Sequence, residues 1–392
     1  MAEEDASPDR VSSPELPTGT IPIEGPPDQV EPPGMGNVLM TVVPMFGSMG
    51  VMIFMVMSAN NNPRMLMMGG AMVFAMLSMV GFNIYRQIGG HRQKVVTTRR
   101  EYLAYLSEMR QTVRTAERKQ RAYIRWHLPD PLALTLIAQD RARLWERAPG
   151  DADALNMRIG SSTQALSMDL DVPELPPMAN PDIVCHSALN RFVETFSNID
   201  HVPFGVMIGE FSHIEVAGRH DVARAQARAM LCHLLTFIGP GALKVAVLCS
   251  EEARPQWEWV KWAPHARSSE ERDALGPARM ITSDYAELEN LLGEEFTTRG
   301  TFRPRDENVQ WPHLVLIVDD ANMPSQTRLG SLEGCLGVTV IKVLEKWGPL
   351  VSRSTMRLLI HPYEHKDPAA RRGMGSPGSR ADGSAPHRCP TR

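Results

Sequence analysis

Apolar and polar positions change rhythm several times along the chain. Residues 1–37 show no apolar period. Two uncharged runs follow, Val38 to Ser58 and Met65 to Tyr85. At roughly 1.5 Å per residue, about 21 helical residues span about 30 Å, the depth of a bilayer core. The six residues between the runs, Ala59-Asn-Asn-Asn-Pro-Arg64, form turns readily. The pattern predicts a transmembrane hairpin over 38–85, with helices at 38–58 and 65–85. The alternative is two buried helices of a soluble core, but such helices rarely run so far without a charge on any face.

The next stretch has neither Gly nor Pro between His91 and Leu128. Its apolar positions Tyr102, Leu106, Met109, Val113 and Ala116 recur at alternating steps of four and three, and Gln120 and Tyr123 extend the series. This predicts a stalk helix over about 92–126 with a short heptad seam that weakens toward its end. The Pro-flanked His127-Leu-Pro-Asp-Pro131 closes it. A short helix to about Arg147 and a loop at Pro149-Gly150 complete a connector, so stalk and connector occupy 86–150. From about Gly205 the rhythm becomes strand–helix–strand. PFGVMI, HIEVAG, LKVAVLC, ARMIT, LVLIV, GVTVI and MRLLI read as strands. Asp221 to Ile238 reads as an amphipathic helix, and a second helix runs from an N-cap at Ser283 or Asp284 to Gly300. Apolar strands alternating with helices imply a mostly parallel sheet covered on both faces. The fold class expected for 151–362 is α/β, of the P-loop NTPase-like (RecA-like) kind.

Composition sharpens this division. Residues 1–37 carry eight acidic side chains, one basic one (Arg10) and eight prolines, so the segment is expected to be disordered. It lacks the basic start of a signal peptide. Residues 363–392, rich in Arg, Gly, Pro, Ser and Ala, are expected to form a disordered tail. Thirteen of the 24 methionines lie between Met35 and Met79. With Gly47, Gly50, Gly69, Gly70 and Gly81 they suit close packing against other membrane subunits, or equally a lipid-facing surface. Arg86, Arg92, Lys94, Arg99 and Arg100 follow the second run, against Arg64 alone in the loop. The positive-inside rule then puts this flank, both termini and the α/β domain in the cytoplasm. Between Arg86 and Arg125 eleven Lys/Arg face three Glu, so the stalk is basic; its first turns either meet anionic lipid headgroups or form an ordinary solvated face. Five scattered cysteines without a C-x-x-C pair indicate neither a disulfide framework nor a zinc site. The twelve histidines have no metal-binding spacing, and no metal site is expected. A net charge of −4 gives no reason to expect nucleic acid as a partner.

Two places carry candidate chemistry. After the strand HIEV the chain reads Gly218-Arg-His-Asp-Val-Ala-Arg-Ala225. A Walker A loop, G-x-x-x-x-G-K-[ST], stands at such a strand-to-helix junction; its backbone amides cradle phosphate, its Lys reaches the β and γ phosphates and its hydroxyl binds magnesium. Here Gly218 keeps the first glycine position, Ala223 takes the second, Arg224 takes the lysine position and Ala225 the hydroxyl position. The second place is Leu314-Val-Leu-Ile-Val-Asp319-Asp320, which has the form of a Walker B strand with a magnesium-binding carboxylate and a following acid. Gly218, Arg224, Asp319 and Asp320 are therefore the candidate nucleotide-binding residues of a decayed P-loop site, which either holds ATP and Mg²⁺ weakly or holds no cofactor, with hydrolysis lost or very slow. No catalytic residue is assigned. Trp257, Trp259 and Trp262 read as packing at the sheet edge or as a docking surface.

These strings together resemble one family. The Met-rich hairpin, Arg-Glu-Tyr-Leu-Ala-Tyr-Leu (Arg100 to Leu106), Trp126-His-Leu-Pro-Asp-Pro131 and Arg143-Leu-Trp-Glu-Arg147 occur in its order. So do Ala227 to Cys249, the Trp257 to His265 run and the Val-Asp-Asp strand end. The chain resembles, from about Met35 to Ile360, the EccC subunits of type VII secretion systems, which belong to the FtsK/SpoIIIE class of ATPases. The resemblance implies a place in the bacterial inner membrane beside EccB-, EccD- and EccE-like partners. It also implies that the α/β domain is a membrane-proximal, degenerate ATPase-like domain with an anchoring and coupling role. An active or nucleotide-sensing ATPase, for protein export or DNA translocation, is the alternative. Self-association is a further expectation. In the family more ATPase domains follow; this sequence contains no intact Walker A, and a truncated product, a fragment and a natural short subunit all fit.

Overall fold

The computed structural model describes residues 10–31, 50–51, 53–54, 63–303, 310–350 and 352–361. They belong to two compact units. One ends at Met207 and takes in Cys232–Ile238; the other consists of Ile208–Leu231 and the chain from Gly239 onward. The α/β domain thus begins near Ile208 rather than at 151, because residues 151–207 fold with the stalk.

In the first unit one helix, α1 (Pro63–His127), runs unbroken for 65 residues. The second uncharged run and the stalk are therefore one element. Met67, Met72, Phe74, Leu77, Met79, Phe82 and Tyr85 are exposed along its first part. Among the described residues no helix is long and apolar enough to cross a membrane. Of the first run, 38–58, only Gly50, Val51, Ile53 and Phe54 are described, all helical; the rest, like the tail 363–392, lies outside the described residues. The hairpin itself is thus not seen among the described residues.

The stalk seam exists, but it is filled by this chain's own segments. Tyr102, Leu106, Val113 and Ala116 are buried with Cys185, Leu189 and Phe192 of α3 (Ile183–Phe196) and with Ile199 and Val202 of β4 (Asn198–Met207). Asp182 caps α3 by accepting from the Val184 and Cys185 amides. Gln120 is buried in the seam because both ends of its amide are used: Nε2 donates to Ala165 O and Oε1 accepts from Ser167 N. Strand β4 pairs antiparallel with β2 (Asn156–Ala165). The short helix of the connector is α2 (Ala133–Asp140). Beyond it, Arg147 is almost fully buried. Its guanidinium donates to the carbonyls of His127 (2.5 Å), Asn156 (2.6 Å) and Asp153 (3.2 Å) and stacks on Phe237.

The expectation of disorder over 1–37 fails for residues 10–31. They lie along α1 and run against its direction. Arg10 pairs with Asp153, which also faces His127 at the end of α1. The Ser167 hydroxyl donates to Pro17 O. Thr20–Pro22 (β1) pairs in parallel with Asp169–Asp171 (β3), burying Ile21 and Ile23 in the seam. Tyr102 donates to Glu24 O, and Glu24 N donates to the Tyr105 hydroxyl. Asp182 N donates to Pro27 O, and the Asp182 carboxylate holds Arg99. A Pro-rich chain has little conformational entropy to lose, so two buried isoleucines and a three-residue ladder suffice to seat it.

The second unit is a six-stranded sheet in which every pairing is parallel. Its order is β12 (Thr355–Ile360), β5 (His213–Gly218), β11 (Val338–Leu344), β10 (His313–Asp319), β6 (Leu243–Cys249), β9 (Ile281–Thr282). All seven residues of β10 are buried, as its apolar run requires. One face packs on α4 (His220–Phe237), through Ala223, Ala227, Met230 and Leu231. Part of the other face packs on α5 (Tyr285–Leu292), through Leu288, Leu291 and Leu292. The expected second helix is shorter than predicted: Gly293, at φ +69°, ends α5, and the short α6 (Glu294–Thr297) follows. Between α4 and α5 the chain also forms the hairpin β7 (Arg267–Asp273) and β8 (Gly276–Arg279). The β11–β12 connection carries no described helix, and Lys342, Glu215 and Arg357 stand side by side on that part of the sheet. Glu215 and Arg357 pair at 2.8 Å.

Candidate functional site

Because the sheet is parallel, Gly218, Asp319 and Cys249 all end strands on one edge, where open α/β sheets place ligands. Strand β11 lies between the strand that ends in Gly218 and the strand that ends in Asp319. Gly218 stands at φ +152°, and a Cβ there would meet Ile360 O at 2.5 Å. This glycine is needed for a close backbone approach within the sheet.

The chain then differs from a phosphate loop. Helix α4 begins at His220, one residue beyond Arg219, so the stretch that would wrap a phosphate is wound into helix. The amides of Val222 and Ala223 both donate to Arg219 O. Ala223 is fully buried and Ala225 faces solvent. The spacing of the motif survives in sequence, but its cradle of free amides does not. Arg219 pairs with Asp221 at the surface.

Arg224 turns onto Asp319. Its Nε donates to Oδ2 at 2.8 Å and its Nη2 to Oδ1 at 3.2 Å. Trp257 Nε1 donates to the same Oδ2 at 2.7 Å. Asp319 is fully buried, and Trp257 is buried with it. The hydrogen bond to Asp319 holds the Arg224 guanidinium above its ordinary pKa. Both oxygens of the carboxylate are engaged and its charge is neutralised within the protein. Burial pushes the neighbouring Cys249 thiol up to about 11. A guanidinium therefore occupies the bonding positions through which an aspartate would take a metal ion. Among the described residues no group of His, Cys, Asp and Glu could hold a metal ion.

Asp320 is separate. It lies exposed at φ +52°, with Ser250 Oγ at 3.5 Å, and lines an open cleft of about 630 Å³ with His220, Asn322, Lys342 and Glu345. Of the four candidate residues, the structure brings Arg224 and Asp319 together, leaves Gly218 under Ile360 and turns Asp320 into the cleft. Sequence reading gave Trp257 to packing at the sheet edge or to a docking surface; it is buried, and its bond to Asp319 was not foreseen. Nothing in its local pattern marks a residue 62 positions from its carboxylate partner.

Fold and site together define an α/β domain built on a six-stranded parallel sheet, consistent with a P-loop-like domain, in which helix α4 starts directly after β5 and an internal arginine holds the strand-end carboxylate. No protein-family model matches the chain. It is 32% identical over 356 residues, 90% of its length, to the ESX secretion system protein EccC of Thermomonospora curvata. It is 32% identical to the ESX-3 secretion system protein EccC3 and 30% identical to the ESX-4 secretion system protein EccC4, both of Mycobacterium tuberculosis, over 85% and 84% of its length. The chain belongs to the EccC family. It spans about a quarter of the length of these relatives, 27% and 25% of the first two.

Proposed function

We propose that this chain is an anchoring and coupling component of a type VII protein secretion complex in the bacterial inner membrane, and that its ATPase-like domain acts without hydrolysing ATP. The observation that carries the second part is the closed Arg224–Asp319–Trp257 cluster. A domain that has replaced its magnesium contacts with a guanidinium keeps the fold's shape while giving up its chemistry.

The anchoring part rests on two features of the first unit. The uncharged start of α1 exposes large apolar side chains that water does not favour. The N-terminal segment also runs against α1 and reaches the level of Arg99 by Pro27. Tyr85 lies about 21 Å further along the helix, and residues 30–37 can span up to about 28 Å. The chain can therefore enter the stretch 38–58 beside the end of the stretch 65–85, as an antiparallel hairpin requires. Both termini then lie in the cytoplasm. EccB-, EccD- and EccE-like membrane subunits are the partners in this reading.

The test is purification in detergent from cells that carry the whole secretion complex. The chain is expected to sediment with membranes and to co-purify with those subunits. Recovery as a free, water-soluble monomer would refute the anchoring role. Hydrolysis of ATP that disappears on Asp319→Asn would refute the silent domain. The cleft beside His220 and Lys342 favours one second reading, nucleotide sensing, which a labelled ATP analogue at millimolar concentration would test.

A further inference from the structure

The segment along α1 has a firm part and a loose foot. Residues 20–27 are held by the β1–β3 ladder, by buried Ile21 and Ile23, and by bonds to Tyr102, Tyr105 and Asp182. Among the described residues, the hydrogen bonds and ion pairs of 10–16 are those of Arg10, with Asp151 at 3.2 Å and Asp153 at 2.6 Å. These pairs are partly exposed, with about a third of the Arg10 side chain open to water. Val11 and Leu16 are exposed beside them.

Ser12 lies in this foot. It is exposed, its backbone is in no helix or strand, and it stands two residues after Arg10 and two before Pro14. An exposed serine in irregular backbone, with an arginine two residues before it, is open to a serine/threonine kinase. We propose that Ser12 is a phosphorylation site that releases the foot of the segment. The transfer breaks the bond between the γ-phosphorus of a nucleoside triphosphate and its leaving diphosphate. It forms the bond from phosphorus to Ser12 Oγ, and the hydroxyl proton passes to the kinase's base.

Two physical effects then act in the same direction. The phosphate brings a charge near −2 and strong acceptor oxygens within reach of Arg10. The protein itself displays that spacing: Arg219 folds back on Asp221, two residues on, at 2.6 and 2.7 Å. The new charge also stands close to Asp151 and Asp153, which repel it. Arg10 leaves the two carboxylates, residues 10–16 lift, and residues 20–27 stay seated. Asp153, which Arg10 shares with Arg147 and His127, is uncovered.

The test uses the full chain in detergent with phosphoserine installed at position 12, beside Ser12→Ala and Arg10→Ala. The readout is the rate of cleavage after Glu15 by a glutamate-specific endoprotease. Phosphoserine and Arg10→Ala are each expected to raise that rate about tenfold, through local opening, while Ser12→Ala matches the unmodified chain and the peptide bond after Glu24, in the held part, stays resistant. Wild-type cleavage rates with phosphoserine would overturn the release mechanism, as would wild-type rates in Arg10→Ala. Mass spectrometry of the N-terminal peptide from the producing cells is expected to find phosphate on Ser12. Its absence there would overturn the assignment of the site.

Discussion

Arg224 grips Asp319 with two parallel hydrogen bonds, from Nε to Oδ2 and from Nη2 to Oδ1. The carboxylate is wholly buried and the arginine mostly so. Removing one member of such a pair strands the other. Arg224→Ala is expected to destabilise the second unit by about 3 kcal/mol, read from urea unfolding. The double change Arg224→Met, Asp319→Leu is expected to recover part of the loss, because it removes both charges, while the buried Trp257 Nε1–H loses its acceptor. A double variant as unstable as the single one would show that the ion pair is not the source of the effect.

Repairing the motif is expected to fail. Ala223→Gly, Arg224→Lys and Ala225→Thr together restore the letters of a Walker A loop. They do not unwind the turn that starts at His220 and uses the Val222 and Ala223 amides. Titration with a fluorescent ATP analogue and magnesium should show no gain in affinity over the unaltered chain. Micromolar binding would mean that the loop re-forms readily and that the helical turn is no barrier.

Gly218→Ala tests the close approach at the sheet edge. A positive φ and a 2.5 Å contact with Ile360 O both oppose a methyl group there. The expected cost is about 2–3 kcal/mol, visible as a lower thermal midpoint. An unchanged midpoint would mean that β12 moves away at little cost.

His313 supplies a pH dependence. Its Nε2 lies 3.0 Å from Thr339 Oγ1, which also lies 3.0 Å from Ile208 O and Phe211 O. The single hydroxyl proton goes to a carbonyl, so His313 donates from Nε2, and its buried Nδ1 has no hydrogen-bond partner among the described residues. Burial, with Arg299 nearby, lowers its pKa to about 3, and burial lowers that of His213 to about 4. The unfolded chain takes up these protons near pH 6.5 and the folded chain does not. Their contribution is therefore complete above about pH 6.5 and lost as pH falls, at up to about 1.4 kcal/mol per pH unit for each histidine. Urea midpoints between pH 7 and pH 4.5 should fall less steeply in His313→Gln than in the unaltered chain. Parallel slopes would contradict this.

Ile21 and Ile23 test the seating of the N-terminal segment. Each change to Ala removes a buried side chain and is expected to cost the first unit about 2–4 kcal/mol. Hydrogen exchange at β3 should rise in the same variants, because β1 is its ladder partner. Unchanged exchange at β3 would show that the ladder holds without the apolar contacts.

What could be read from the sequence follows from how far apart the cooperating residues are. The seam from Tyr102 to Ala116 was legible because its period is local to one helix. What fills it was not, since Ile21 and Ile23 are two apolar positions among prolines, about 80 residues away. The strand ending in Asp319 announced itself by an unbroken apolar run. The turn at His220 did not, because the motif's spacing is the same whether the chain loops or coils. Arg224 was read as a ligand for phosphate, when its partner is a carboxylate 95 positions on that only the strand order brings near.

Helix α1 passes through Gly89 and Gly90 without interruption, and neither glycine has a neighbour near the place a Cβ would take. Each glycine weakens a helix by about 1 kcal/mol relative to alanine. The helix is therefore intrinsically weakest where its apolar stretch meets its basic one, though it runs through that point unbroken.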